Sequence, residues 1–291
     1  MTADAPALTS PRARRRRLLR KRFLRRPAAV ASLIVILVFL VAAVFAPYVA
    51  PRSPASTDFN ALLAHPSWHH LLGTDELGRD VFSRVVWGAR ASMQVGFLAT
   101  VLAMLIAVPI GLVAGYYRGF ADTVIARATD VLLAFPGIIL AIGLAAILGP
   151  SLTTATIALG VGSAPGLIRI TRGEALALRE ADFVPAAIAN GAGDATIIFR
   201  HILPNMANTL LVAATVRIPG AIIGEATLSF LGVGIRPPGA SWGVMLHDAQ
   251  SYLSQAPRLA VFPGIAIVLA ALAFNLLGDG LRDVFDPRTA R

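Results

Sequence analysis

The chain has 291 residues, of which 56% are hydrophobic and only 14% charged, and its mean hydropathy is +0.70. An ordinary soluble domain is about 25% charged and buries most of its large apolar side chains. A soluble fold of this composition could not bury so many apolar side chains and still present a polar surface. The net charge of +10 does not indicate nucleic-acid binding, because ten of the 26 basic residues lie between Arg12 and Arg26, directly before the first apolar run. Such a cluster is typical of the cytoplasmic flank of a membrane span and is attracted to anionic lipid. The sequence therefore predicts an integral membrane protein.

Six stretches are long and apolar enough to cross a bilayer, for which a helix needs about 20 mostly apolar residues. They are residues 28–48, 92–116, 127–149, 152–170, 207–230 and 258–278. An even number of spans returns the chain to its starting side, and the basic N-terminus indicates that this side is the cytoplasm. The predicted fold is an all-α membrane protein with six transmembrane helices and both termini cytoplasmic. Its predicted parts are a basic tail (1–27), a first helix and external loop (28–91), a five-helix core (92–278) with an inner loop (171–206), and a C-terminal tail (279–291).

The inner loop contains an unusual stretch, "PAAIANGAGDATIIFRHILPN", at residues 185–205. Its alanines favour a first short helix, and Gly191 can end that helix by adopting a left-handed backbone. Asp194 is expected to cap a second helix, 195–203, that stops before Pro204. Helices of about 7–9 residues are roughly 10–14 Å long and cannot span a bilayer. The apolar residues of the second helix must either pack on the chain's own helix ends or dock in a groove of a soluble partner.

This stretch resembles the cytoplasmic loop of ATP-binding-cassette importer permeases, which reads Glu-Ala-Ala, three residues, Gly, nine residues, then Ile-x-Leu-Pro. The matching positions are Ala186, Ala187, Gly191, Leu203 and Pro204. Two positions depart from the pattern, since Pro185 replaces the glutamate and His201 replaces the isoleucine. The resemblance implies that the matching residues contact a separate ATPase, together with Asp194, Phe199 and His201.

Three further stretches resemble the C-type permease subunit of dipeptide, oligopeptide and nickel importers. They are "HLLGTDELGRDVFSRVVWGAR" (70–90), "LSFLGVGIRPPGASWGVML" (228–246) and "NLLGDGLRDVFDPR" (275–288). The resemblance implies a type I importer permease fold in a prokaryotic inner membrane. It also implies three kinds of partner: a second homologous permease, ATP-hydrolysing subunits, and an extracytoplasmic binding protein that delivers a peptide or a metal chelate.

The first of these stretches contains a compact motif of glycines and charged residues. Its members are Gly73, Thr74, Asp75, Gly78, Arg79 and Asp80. The carboxylates alone allow a cation site, but one short acidic run is weak evidence for a metal. We favour a turn followed by an amphipathic helix on the outer face, with Arg79 paired to an acid. The resemblance places this motif at the external mouth, near the binding protein.

Charged residues inside predicted spans are costly and usually face a bundle interior or a wet cavity. Arg217 and Glu225 lie in the fifth span. Each is either paired with a group on a neighbouring helix or part of the translocation path. Arg127 and Asp130, three residues apart in the third span, are expected to form a local ion pair.

The sequence contains few other candidates for chemistry. The absence of cysteine excludes disulfides and thiolate sites, and His65 and His69 have no convincing third ligand, so we predict no metal and no cofactor. No GxxxxGK[ST] motif is present, so ATP hydrolysis is expected on separate subunits.

Two other functions compete with that of an importer subunit. An autonomous secondary transporter driven by an ion gradient would need matching inverted halves, which are not visible in the sequence. A membrane enzyme has only "GASWG" in its favour. This matches GxSxG, but Ser241 follows two prolines in an outer loop instead of a strand-to-helix elbow.

Overall fold

The computed structural model describes residues 21–285. This part of the chain contains helices and connecting loops, without a β-strand, and one isolated bridge joins Thr74 and Asp80. The predicted all-α class is confirmed for the described residues. Most of the N-terminal arginine cluster, and residues 286–291 of the C-terminal tail, lie outside them.

The helices follow one another with mostly short connections. In chain order they are α1 (Pro27–Val44), α2 (Ala46–Val49), α3 (Val81–Tyr117), α4 (Gly119–Ala134), α5 (Gly137–Leu148), α6 (Leu152–Arg179), α7 (Phe183–Ala189), α8 (Asp194–Phe230), α9 (Trp242–Ala249) and α10 (Arg258–Phe285). Helix α8 is unbroken but contains a π-helical turn at Ile197–Ile202.

Four helices are long and apolar enough to cross a membrane: α1, α3, α8 and α10. Helices α4 and α5 meet at an angle of 85° and count as a fifth if the bent pair is one span. Helix α6 contains the predicted span 152–170 and has 28 residues, but it is less apolar and does not qualify. By this measure the described residues contain four or five candidate spans, where the sequence predicts six.

Several helices extend beyond the predicted spans. Helix α3 begins at Val81 because the Asp80 carboxylate accepts a hydrogen bond from the Ser83 N–H at 2.8 Å and so caps the helix. The residues predicted to form an amphipathic helix lying on the outer face are instead the first turns of α3, a 37-residue helix that is long and apolar enough to cross a membrane. Helices α6 and α8 extend in the same way and reduce the inner loop to residues 180–193.

The bundle is built around α3, which packs along α6 through small residues. A Cβ atom on Gly111 would lie 2.5 Å from the Cβ of Thr171, and one on Gly115 would lie 2.6 Å from the Cβ of Ala175. Only glycine permits this approach of the two backbones. Helix α10 packs against α8 and α1, so that α3, α6, α8 and α10 form the centre of the molecule.

Candidate functional site

Helix α7 ends in a left-handed turn at Gly191, where φ is +78°. The Gly191 N–H donates to the carbonyl of Ile188 at 2.9 Å, and the Ala192 N–H donates to that of Ala187 at 3.0 Å. These bonds form the glycine-dependent C-cap known as the Schellman motif. The prediction that Gly191 ends the first short helix is confirmed.

Asp194 does not act as the predicted helix cap. It lies inside the first turn of α8, whose capping position is Gly193. Its Oδ1 atom accepts a hydrogen bond of 2.8 Å from the hydroxyl of Tyr116, near the end of α3. The prediction failed because a residue remote in sequence binds this carboxylate.

The prediction that the second helix stops before Pro204 is also wrong. Proline has no N–H and disrupts the α-helical bonds of the preceding turn. Here that turn is π-helical over Ile197–Ile202, and the Asn205 side-chain amide donates to the carbonyl of His201 at 2.7 Å. These adjustments let the helix pass through Pro204 and continue as the predicted fifth span.

The segment from α7 to Pro204 is partly packed and partly exposed. Ile197, Ile198 and Ile202 are buried against the ends of α3 and α6. By contrast, Phe199 is 67% exposed and Ile188 is 58% exposed. One face of this apolar segment therefore packs on the chain's own helix ends, as the first alternative predicts. The other face is open, as docking to a partner would require. Of the other predicted contact residues, Ala186 and Pro204 are exposed, whereas Ala187, His201 and Leu203 are half-buried.

The predicted external motif, residues 73–80, forms a tight turn with positive φ angles at Gly73 (+80°) and Gly78 (+73°). A Cβ on Gly73 would lie 2.5 Å from the carbonyl oxygen of Ala64. The hydroxyl of Thr74 accepts a hydrogen bond from the N–H of Ala64 at 2.8 Å. The two glycines therefore permit a close approach to the preceding loop, and the hydrogen bond of Thr74 attaches the motif to it.

A buried ion-pair network joins this turn to α9. Arg79 pairs with Asp75 at 2.7 Å, with Glu76, and with Asp248 at 3.1 Å, while Arg84 pairs with Asp248 at 3.0 Å. The prediction that Arg79 pairs with an acid is confirmed. Burial, followed by the neighbouring Asp75 carboxylate, raises the pKa of Glu76. The Glu76 carboxyl therefore takes up a proton at a higher pH than an exposed glutamate.

Glu225 and Arg217 have different environments. Glu225 is completely buried, and its carboxylate accepts hydrogen bonds from the hydroxyls of Ser92 at 2.7 Å and Ser229 at 2.8 Å. Its partners are thus neutral side chains on α3 and α8. Arg217 is half-buried and has no ion pair within residues 21–285.

The predicted ion pair between Arg127 and Asp130 is wrong. Asp130 pairs with Arg169 of α6 at 2.5 Å. The carboxylate thus binds a residue of a neighbouring helix instead of one three positions away on its own helix.

Arg217 lines a cavity of about 890 Å³ between α6, α8 and α10, whose walls combine polar residues with apolar ones such as Val212, Val216 and Phe285; we call it the polar cavity. Its polar lining residues are Glu174, Asn205, Asn208, Thr209, Arg217, Asp279 and Arg282. Most of these were missed in the sequence because the three helices are far apart along the chain. A signal does exist on α8, where Asn205, Asn208 and Thr209 follow the i, i+3, i+4 spacing of one helix face.

An apolar groove of about 800 Å³ lies on the other side of α8, against α3. It is lined by aliphatic and aromatic side chains, including Phe97, Leu105, Leu210, Ala214 and Ile218. Its cytoplasm-proximal end in the predicted topology reaches Phe199.

The candidate nucleophile and the candidate metal ligands from the sequence do not form chemical sites within the described residues. Ser241 is fully buried, and its hydroxyl caps α9 by accepting from the Val244 N–H at 3.2 Å, so it does not form an exposed nucleophile elbow. His65 and His69 are exposed. Within the described residues no three His, Cys, Asp or Glu side chains are placed to share a metal ion.

Two family models match this chain. Residues 107–291 match the binding-protein-dependent transport system inner membrane component, and residues 15–66 match the N-terminal transmembrane domain of oligopeptide transport permease C. The chain belongs to the family of binding-protein-dependent transport system inner membrane components, and it is a permease subunit of such a system.

Known relatives extend this finding over most of the chain. The glutathione transport system permease protein GsiD of Pectobacterium atrosepticum is 45% identical over 92% of this chain and 89% of its own length. The dipeptide transport system permease protein DppC of Alkalihalophilus pseudofirmus is 45% identical over 89% of this chain and 86% of its own length. An inward-facing structure of the MetNI methionine ABC transporter has a chain that is 21% identical, with a TM-score of 0.58 over 70% of this chain and 98% of that one. At this identity the match shows a shared fold.

Proposed function

We propose that this permease subunit imports short peptides or a related small solute such as glutathione. The names of two relatives support this substrate class. The subunit would form half of the translocation pathway beside a second homologous permease. Because the sequence contains no P-loop motif, separate ATPase subunits would supply the energy.

The proposed topology has six spans with both termini in the cytoplasm. Helices α4 and α5 together form the third span, and α6 forms the fourth. The charged residues of α6 lie in its second half, at the same end of the bundle as the start of α8, which is compatible with a span whose last turns emerge into the cytoplasm. The segment from α7 to Pro204 then faces the cytoplasm, and the external motif and α9 face the binding protein.

We propose that the ATPase subunits drive the permease through the segment from α7 to Pro204. The observation behind this proposal is that Phe199 is exposed although three isoleucines of the same segment are buried. An anchored helix with one open apolar face fits the helix-in-groove mode of recognition. In this proposal the ATPase subunit binds Phe199 and Ile188. When the ATPases close, their motion passes directly into a membrane span, because α8 continues without a break.

Replacement of Phe199 tests this proposal. An aromatic hot spot at an interface commonly contributes at least about 2 kcal/mol, so Phe199→Ala should weaken binding of the ATPase to the permease pair by about 30-fold. The binding is measured by titrating purified ATPase onto the detergent-solubilised permeases. Phe120→Ala is the matched control, because Phe120 is 86% exposed at the start of α4 on the same proposed side. Unchanged binding in Phe199→Ala, or an equal loss in both variants, contradicts docking through this segment.

A further inference from the structure

We infer that the polar cavity between α6, α8 and α10 binds the transported solute through a free carboxylate, with Arg217 as the carboxylate-binding residue. The cavity suits zwitterionic peptides of two or three residues. This inference rests on the proposed pathway and adds to it a solute-binding site and a chemical requirement on the solute.

Arg217 lies deep in a predicted membrane span without a charged partner among the described residues, which favours binding of an anionic ligand. It lies ten residues inside the predicted span 207–230, a rise of about 15 Å, which is the middle of a hydrocarbon core about 30 Å thick. A charge at this depth is costly and normally has a partner. Arg217 has neither an ion pair nor a hydrogen bond to another side chain within the described residues. Arg217 instead contributes to the lining of the cavity.

The guanidinium group of Arg217 lies against α6 at Gly166, beside the cavity. A Cβ on Gly166 would lie 2.5 Å from the Nη2 atom of Arg217, so the side chain rests against the bare backbone of α6. An arginine in such a position presents a planar pair of donors, and this geometry matches both oxygens of a carboxylate.

An anionic group lies at a fixed distance from Arg217. Glu174 accepts a hydrogen bond of 3.1 Å from the Thr209 hydroxyl, and Thr209 precedes Arg217 by eight residues on α8. On α6, Glu174 follows Gly166, the residue that contacts Arg217, by eight residues as well. Eight residues of α-helix rise about 12 Å, so both helices independently give the same axial separation of the two charges.

This separation matches a short peptide with free termini. An extended chain spans at most about 3.3–3.6 Å per residue, which gives about 7–11 Å for two or three residues. Such a peptide can place its carboxylate at Arg217 and its ammonium group near Glu174, with the side chains supplying the remaining reach. Asp279 and Arg282 also line the cavity, so it contains two acids and two arginines and favours a zwitterion over an ion of either sign.

The absence of cysteine in this chain permits a direct test. Asn208→Cys is introduced in the assembled transporter, in inside-out membrane vesicles, and its labelling by a membrane-impermeant maleimide is followed by mass spectrometry of this subunit. Tri-alanine should slow the labelling, whereas tri-alanine amide, which lacks the carboxylate, should not. Adding Arg217→Gln should raise the tri-alanine concentration needed for protection by about tenfold or more, as expected for loss of a charged hydrogen bond.

The control is Thr123→Cys, because Thr123 is exposed near the proposed cytoplasmic end of α4 and does not line the cavity. This cysteine should be labelled without protection by either peptide. If Asn208→Cys is not labelled from the cytoplasmic side, the cavity does not open there and the proposed pathway fails. If labelling occurs but tri-alanine gives no protection, or the amide protects equally, the pathway stands and the carboxylate site is overturned. The comparison of peptide with amide uses native Arg217 and does not depend on folding of the Arg217→Gln variant.

Discussion

The first two thirds of α8 separate two cavities of similar size and different chemistry. The groove against α3 is lined almost entirely by carbon, whereas the cavity toward α6 and α10 has amides and charges on its walls. Residues facing the two sides alternate along the same helix, for example Ala214 on the apolar side and Val212 on the polar side. The average hydropathy of a span therefore does not reveal that one of its faces is almost wholly apolar and another carries polar and charged groups.

The prediction with the largest expected effect compares the same charged residue on the two faces of α8. Ala214 and Val212 are two residues apart and thus about 160° apart around the helix, and both are half-buried. Ala214→Asp should approach the cost of about 3 kcal/mol for an acid in the apolar part of a spanning helix. Val212→Asp should cost less than about 1 kcal/mol, because its carboxylate reaches the polar cavity. The amount of folded protein in the membrane and its thermal unfolding midpoint give the comparison.

The interpretation of the two faces would be wrong if the two aspartates reduced folding equally. A greater loss from Val212→Asp would mean that the cavity is closed off from water in the assembled transporter. Asparagine at both positions serves as the control for side-chain size without the charge.

A second test compares two glycines with equally close neighbours. A Cβ on Gly111 meets the Cβ of Thr171 and, at 3.0 Å, the backbone nitrogen of Arg172, so two backbones must separate. A Cβ on Gly166 meets only the end of the Arg217 side chain. Gly111→Ala should therefore destabilise the protein by about 1–3 kcal/mol, whereas Gly166→Ala should be neutral or gain up to about 1 kcal/mol from helix propensity. Thermal unfolding in detergent measures both.

Gly166→Ala has a second expected result. By pushing the guanidinium group of Arg217 into the cavity, it should alter protection of Asn208→Cys by tri-alanine without loss of folded protein. An equal loss of stability in both glycine variants would show that Arg217 is as rigidly packed as the α3–α6 contact.

The smallest expected effect concerns two threonines. Thr209→Val removes the only side-chain donor to Glu174 within the described residues and should cost about 0.5–1.5 kcal/mol. Thr215 lines the apolar groove and donates to the carbonyl of Leu211 on its own helix at 2.9 Å, so Thr215→Val should have little effect. Unfolding midpoints of the two variants measure the difference, and a larger effect at Thr215 would contradict it.

Local features of the α7–α8 segment could be predicted well from the sequence. The short first helix and the turn at Gly191 depend on the backbone preferences of neighbouring residues, and both are present. The roles of Asp194 and Pro204 were predicted wrongly because they depend on distant or compensating groups. Tyr116 binds the Asp194 carboxylate, and a π-helical turn accommodates Pro204.

The polar cavity could be predicted only in part. Arg217 was identified because a charge in an apolar run stands out, but its surroundings come from Glu174 and Asp279 on two other helices. Glu225 stood out for the same reason, yet it lies among serines in the interior. A single sequence shows that a buried charge exists, whereas the identity of its neighbours is determined by helix packing.

The π-helical turn has a consequence for how this stretch can vary. It sets the angle around the helix axis between the side chain of Phe199 and that of Arg217, which lies eighteen residues later on the same helix. Adding or deleting one residue between them would swing the aromatic ring by about 100° about the axis, away from its proposed binding groove. Rotational register is therefore a constraint on this part of the chain in addition to the identities of Phe199 and Arg217, and exposed positions between them should accept substitutions more readily than single-residue insertions or deletions.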